Sequence, residues 1–196
     1  MQKLLAAAAP FGVIALLALM RLVPHMPNFA PITAMALFGG VYLNKRYAFI
    51  VPLAAMLISD YLLLYVHPFS AQYFDFSHLY GPLALLHSAI VAVYVSFAIS
   101  ALVGLWLKHH KSPLTVVLAS IFCSLQFFLI TNAAVWMLGE YDRSLLGLWQ
   151  SYVAGLPFLQ GTLFGDLFYT SVLFGSYELA RSAVRDRVSS AVSTVA

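Results

Sequence analysis

Long apolar segments separated by short polar connections dominate this sequence and restrict it to few folds. Each segment approaches the roughly 20 apolar residues that an α-helix needs to cross a bilayer. The alternation of polar and apolar residues typical of a membrane β-barrel does not occur in them. Helices are therefore the expected spanning elements, because they satisfy every backbone polar group internally. Six segments qualify, at about residues 4–22, 28–43, 48–66, 82–107, 113–137 and 156–179.

Composition also indicates a membrane-embedded chain. Of the 196 residues, 62% are hydrophobic and 9% are charged, against about 25% charged in a soluble domain. The length suits one domain, which we expect at residues 1–180, followed by a disordered cytoplasmic tail at 181–196. The net charge is +3, but the basic residues are scattered between apolar runs, so no nucleic-acid partner is expected. The single cysteine, Cys123, excludes an internal disulfide framework and a multi-cysteine metal site.

Lysine and arginine positions set the orientation, because cytoplasmic loops carry an excess of both. The first segment has the basic start of a signal peptide, but it runs to Arg21 without a small-residue cleavage site, so we expect a retained helix. With the N-terminus in the cytoplasm, eight of the ten basic residues lie inside, and only Arg21 and Arg143 lie outside. Both termini are then cytoplasmic. The outer loops at 67–81 and 138–155 are rich in aromatic residues, as expected for either an interfacial belt or a lid.

Strongly polar side chains in this topology gather in the outer half of the spans. Asp60, His87 and Asp166 come from three different helices. An ionisable side chain at a helix centre costs about 2.5–3.5 kcal/mol on insertion scales, so it usually faces a cavity or a partner. We therefore expect a polar pocket that opens to the outside. The candidate substrate-binding residues are Asn28, Asp60, Tyr80, His87, Asn132, Trp136, Gln160 and Asp166.

The stretch "RLVPHMPNFAPITAMALFGG" at residues 21–40 interrupts the apolar pattern with Arg21, His25, Asn28 and three prolines. Proline prevents a regular helix and stiffens the backbone. Non-helical backbone at membrane depth is tolerated only beside a cavity or inside protein. We therefore expect this stretch to roof or line the pocket.

Structural explanations remain open for the same residues. Asp60 could simply pair with Arg21. Asp166 follows Gly161 and Gly165, whose spacing permits close helix packing, so its carboxyl could join helices rather than bind a ligand. The motifs HExxH and GxSxG and the P-loop are absent, and "ISDY" and "FGDL" lack the context of an intramembrane aspartic protease. The sequence indicates no particular cofactor or metal.

Several segments resemble a family of small bacterial membrane proteins of unknown function. They are residues 21–40 quoted above, "VPLAAMLISD" (51–60), "TNAAVW" (131–136), "YVAGLPF" (152–158) and "GTLFGDLFYT" (161–170). That family is similar to the substrate-binding S components of energy-coupling factor (ECF) transporters. The resemblance implies an all-α, six-helix bundle in the bacterial inner membrane.

S components bind vitamins or metal ions on the outer side and work with a membrane coupling protein and two ATPases. Their first helix often carries an Ala-xxx-Ala pair where the coupling protein docks. The nearest match here is Ala8 to Gly12, so the chain could also act alone or with another partner.

Together, these observations predict a substrate-binding membrane subunit for uptake of a small micronutrient, either a vitamin-like molecule or a metal ion. Two carboxylates favour a cationic group or a metal ion, while Tyr80 and Trp136 offer an apolar surface. One alternative is an intramembrane enzyme that acts on a lipid or isoprenoid through Asp60, His87 and Asp166. Another is a structural assembly subunit in which the acids only join helices.

Overall fold

The protein is a bundle of α-helices. The computed structural model describes residues 2–24, 26, 28–68, 74–77, 80–85 and 89–195, without the side chains of 2–7, 82–83 and 186–195. Apart from one isolated bridge between Val66 and Phe74, these described residues contain no β-structure, which confirms the predicted all-α class. The elements are α1 (Gln2–Met20), α2 (Ile32–Tyr42), α3 (Lys45–Leu62), a 3₁₀ turn (Pro82–Leu85), α4 (Ile90–Leu107), α5 (Pro113–Met137) and α6 (Leu145–Val195).

The short helix α2 is the centre of the bundle. Its 11 residues correspond to a length of about 16 Å, which is roughly half the thickness of a bilayer core. Residues 33–41 are all buried, and α2 contacts every other helix. The predicted start at residue 28 is wrong, because Pro31 precedes the first helical residue, Ile32. A buried helix can be short, since protein rather than lipid surrounds both of its ends.

Glycines allow α2 to pack directly on its neighbours. A Cβ atom added to Gly40 would lie 2.5 Å from the backbone carbon of Gly104 in α4. A Cβ atom on Gly39 would lie 2.6 Å from the ring of Pro52 in α3. Any larger side chain at these positions would push the helices apart.

Helix α6 begins earlier than the sequence predicts. It starts at Leu145 rather than near residue 156, so the predicted outer loop at 138–155 is reduced to a short turn. Ser144 starts the helix: its hydroxyl accepts a hydrogen bond from the amide of Gly147 at 3.1 Å. Pro157 lies inside the helix. At the other end, α6 includes residues 181–195, and disorder of this tail stays a prediction.

The outer surface of the bundle is largely apolar. Within the described residues, two helices, α4 and α5, are both long enough and apolar enough to cross a membrane. Helix α3 has the same length as α4 but carries Lys45, Arg46 and Asp60. Large apolar side chains with more than half of their surface exposed occur on all the long helices, including Leu16, Ile58, Val91, Leu118 and Phe164. Such an exposed apolar surface is typical of contact with lipid or with another protein.

Candidate functional site

An ion pair joins the end of α1 to α3. Nη2 of Arg21 lies 2.6 Å from Oδ1 of Asp60. The other terminal nitrogen of Arg21 donates to the carbonyl of Met56 at 3.3 Å and to the hydroxyl of Ser59. Tyr94 of α4 donates to Oδ2 of Asp60 at 3.0 Å. Arg21 is only 8% exposed, so this carboxylate and the neighbouring oxygens, rather than water, stabilise its positive charge.

A second carboxyl group, that of Asp166 in α6, is held by hydroxyl groups. Asp166 is 2% exposed, and the hydroxyl of Ser124 in α5 donates to its Oδ2 at 2.6 Å. The side chain of Thr33 in α2 is also hydrogen-bonded to it. No ion pair to Asp166 occurs within the part of the chain that the structure describes. Three helices thus converge on a carboxyl group that has no counter-ion among those residues.

Each of the two acids lines one of two adjoining cavities. A cavity of about 180 Å³ has Asp166, Thr33 and Thr162 in its wall. A neighbouring cavity of about 270 Å³ has Asp60 in its wall. Arg21, the ion-pair partner of Asp60, belongs to both walls. The described residues shared by the two walls are Arg21, Ile32, Leu63, Phe97 and Phe127.

The connection between α1 and α2 forms part of the wall, and Asn28 is its polar contribution. Asn28 has a φ of 60°, a left-handed conformation that Asn tolerates better than most residues. The next residue, Phe29, packs its ring on Phe168 and Tyr169 of α6 with ring centroids 5.6 and 5.4 Å apart. A Cβ atom on Gly165 would lie 2.9 Å from Cα of Phe29. Gly165 therefore lets this connection rest directly on α6, one residue before Asp166.

Two of the predicted pocket residues lie instead where α5 meets the start of α6. The amide of Asn132 donates to the carbonyl of Phe128 at 2.8 Å, and its side chain packs on Gly155. The indole of Trp136 donates to the carbonyl of Asp142 at 2.9 Å. Neither side chain is among the described residues that line the two cavities. Asn132 thus packs α5 against α6, and Trp136 bonds to the turn between them.

Two further predicted pocket residues, Tyr80 and Gln160, are also not among the described residues that line the two cavities. The backbone of Tyr80 is bound by the hydroxyls of Tyr61 and Tyr65. Gln160 is exposed on α6. The predicted pocket residue His87 lies outside the described residues, as do two further histidines, His25 and His78. Of the eight predicted residues, the structure thus brings Asn28, Asp60 and Asp166 to the two cavities.

Sequence reasoning overlooked the hydroxyl partners of Asp166 and several residues of the cavity walls. Thr33 and Ser124 bind Asp166 through side-chain hydroxyls, which in a sequence are indistinguishable from hydroxyls that bond to their own helix. The apolar wall residues Phe97 and Phe127 carry no signal that separates them from core residues. Arg21 did carry a signal, since it is one of the two basic residues that the predicted topology places outside.

The two carboxyl groups and the guanidinium determine what the site can bind. If both acids are ionised, one positive charge faces two negative charges, and Asp60 already balances Arg21. Asp166 then offers a negative charge to a ligand, while Phe97 and Phe127 offer apolar surface. Among the described residues, no group of three or more His, Cys, Asp or Glu side chains is arranged to hold a metal ion.

Comparison with known proteins identifies the chain at the level of its family. No curated protein and no solved structure matches it. A family model, described as a family of unknown function (DUF6580), matches residues 2–190. This match covers nearly the whole chain and agrees with the expected uncharacterised family. The protein belongs to the family DUF6580.

Proposed function

We propose that the protein is a six-span membrane subunit that binds a small cationic micronutrient from outside and delivers it for uptake, in the manner of an ECF S component. The observation that carries this proposal is the pair of adjoining cavities, one with Asp166 in its wall and one with Asp60, which share Arg21. If the acids only joined helices, side chains would be expected to fill this space, because packed protein interiors contain few voids larger than a water molecule.

The proposed topology has both termini in the cytoplasm of a bacterial inner membrane. It is supported by the distribution of charge along the bundle, because cytoplasmic ends carry excess Lys and Arg. Lys108 donates to the carbonyl of Leu43 just after α2, and Lys111 pairs with Glu178 late in α6. Arg21 and the cavities lie at the opposite end of α2. In this topology, the α1–α2 connection supplies the membrane depth that α2 is too short to cover.

The ligand class follows from the charges that remain available. Asp60 is engaged by Arg21 and Tyr94, which leaves Asp166 as the acceptor for a protonated amine or a metal ion. Thr33 and Thr162 can add hydroxyl ligands, and the rings of Phe97 and Phe127 can cover an apolar portion. Cavities of about 180 and 270 Å³ suit a small molecule rather than a lipid or a peptide.

Native mass spectrometry of the full-length protein, purified in a mild detergent, tests this function. We expect a co-purified small molecule at one copy per chain. Asp166→Asn should reduce its retention at least about tenfold, because a hydrogen bond to a charged group contributes about 1.5–3 kcal/mol. Glu140→Gln removes an exposed carboxyl group outside both cavity walls and should leave retention unchanged.

Other outcomes would favour the alternatives. Chemical turnover of the retained molecule or of an added isoprenoid by the purified protein would support an intramembrane enzyme. Equal retention by the parent and Asp166→Asn would contradict the assignment of Asp166. A change in stability alone, with no bound molecule in either protein, would support a structural subunit. A purified complex with a coupling protein and ATPases would identify the transport partners.

A further inference from the structure

A second, larger cavity lies at the opposite end of the bundle from Asp166. Its volume is about 620 Å³, and it lies between α1, the end of α2, the α4–α5 connection and the late part of α6. Three basic side chains, Lys108, Lys111 and Arg181, belong to its wall. The cavity is distinct from the proposed substrate site, because the two walls share no described residue.

The positive charges around this cavity exceed the negative charges in contact with them. Lys111 pairs with Glu178, and Nη1 of Arg181 lies 4.0 Å from the same carboxylate. Lys108 donates instead to a neutral group, the carbonyl of Leu43, at 3.1 Å. Among the described residues, one carboxylate thus faces three cations. The charge of these described groups is therefore net positive, which favours an anion in the cavity.

Neighbouring groups hold two of the cations in place. Nζ of Lys111 lies 3.3 Å from the hydroxyl of Tyr42 and 5.0 Å from the centre of its ring. The bond from Lys108 to Leu43 fixes the other ammonium at the end of α2. Arg181 has a side chain that is 67% exposed and free to turn toward a bound group. This arrangement provides two positioned ammonium groups and one adaptable guanidinium.

Apolar residues and two tyrosines, Tyr42 and Tyr177, form the rest of the wall. Pro10 of α1, Val41 of α2 and Val184 of α6 line the same cavity as the cations. Val184 is 61% exposed, so the apolar rim continues onto the outer surface of the bundle. A free inorganic anion would gain nothing from this rim, whereas a lipid would place its glycerol and acyl chains there.

We propose that this cavity binds the phosphate headgroup of an anionic phospholipid from the inner leaflet. Basic pockets between helices on the cytoplasmic side are suited to such headgroups. The inference rests on the topology given under the proposed function but not on transport or on Asp166. The phosphodiester would contact the ammonium groups of Lys108 and Lys111 and the guanidinium of Arg181, with its acyl chains along Pro10 and Val184.

Titration of the full-length protein in neutral detergent with phosphatidylglycerol, read by native mass spectrometry, tests the proposal. Removal of one cation should weaken binding about fivefold, so the double variant Lys108→Gln/Arg181→Gln should weaken it about 25-fold. The matched control is Lys45→Gln/Arg46→Gln, which removes two exposed cations from the same end of the bundle but outside the cavity wall. This control should bind phosphatidylglycerol as the parent does.

Three further measurements make the result decisive. Phosphatidylcholine should bind at least about fivefold more weakly than phosphatidylglycerol, since its headgroup is neutral overall. Inorganic phosphate at equal concentration should not displace the lipid, and displacement would overturn the assignment to a lipid. If the double variant fails to fold, Arg181→Gln alone should still weaken binding about fivefold. Equal losses in the control and cavity variants would also overturn the proposal.

Failure of the lipid-binding proposal is distinguishable from failure of the proposed function. Asp166→Asn should bind phosphatidylglycerol as the parent does, because Asp166 is absent from the wall of this cavity. Conversely, Arg181→Gln should keep the co-purified molecule of the outer cavities.

Discussion

Arg21 and Asp60 connect the end of α1 to α3 through a nitrogen–oxygen distance of 2.6 Å, at the boundary between two cavities. The pair fixes the point at which the chain leaves α1 and enters the connection to α2. It also balances one of the two carboxylates near the cavities.

Asp60→Asn should destabilise the protein by about 2–3 kcal/mol, because it leaves the buried Arg21 guanidinium without a carboxylate. This is below the range for fully buried pairs, since the Asp60 side chain is 23% exposed. The free energy of unfolding in an SDS titration measures the effect. Arg21→Gln combined with Asp60→Asn should cost less than the sum of the single changes, as expected for directly coupled residues.

Lys111→Gln is the matched control, because it breaks an ion pair with two partly exposed partners. It should cost less than about 1 kcal/mol. A loss of the same size for Asp60→Asn would contradict the idea that Arg21 depends on Asp60.

Gly40→Ala should destabilise the bundle by about 1–3 kcal/mol, because the added methyl group would overlap the backbone of Gly104. Thermal unfolding in detergent measures this loss. Gly12→Ala in α1 is the control, since nothing lies within 4 Å of a Cβ atom there. It should be neutral or slightly stabilising because Ala favours helix over Gly. Equal effects at the two positions would contradict the close packing of α2 on α4.

Trp136→Phe should lower stability by about 1 kcal/mol, because it removes the hydrogen bond from the indole to the carbonyl of Asp142. Ligand retention should not change, since Trp136 is not among the described residues that line the two cavities. Trp149→Phe is the control, because Trp149 is 66% exposed on α6. Loss of the bound molecule in Trp136→Phe, without a loss of stability, would show instead that Trp136 contributes to substrate binding.

Much of the fold was predictable because its apolar segments are long enough to be helices. Residues typical of helix ends separate these segments. Helix α5 shows this clearly: Ser112 accepts from the amide of Thr115, the Thr115 hydroxyl accepts in return, and Pro113 takes the first helical position. The beginning of α6 was not predictable in the same way. Its first turns contain Gly147 and Trp149 in a sequence that is also typical of an interfacial loop.

The candidate site was only partly predictable, because depth in a membrane does not determine direction around a helix. Asp60 and Asp166 were identified since an acid in an apolar helix needs a partner. Asn132 was expected beside them at a similar depth, yet it points to Gly155. The choice between the two directions depends on helix packing, which the linear sequence does not contain.

The most direct test of the central claim is whether the cavity beside Asp166 opens to the outside. Thr162→Cys introduces a thiol in its wall, and intact spheroplasts can then be treated with a membrane-impermeant maleimide. We expect the Thr162→Cys variant to be labelled without permeabilisation, and Lys45→Cys, at the opposite end, to be labelled only after the membrane is permeabilised. The native Cys123, which is fully buried, should stay unlabelled in both variants. Labelling of the Thr162→Cys variant only after permeabilisation would contradict an outward-facing substrate site.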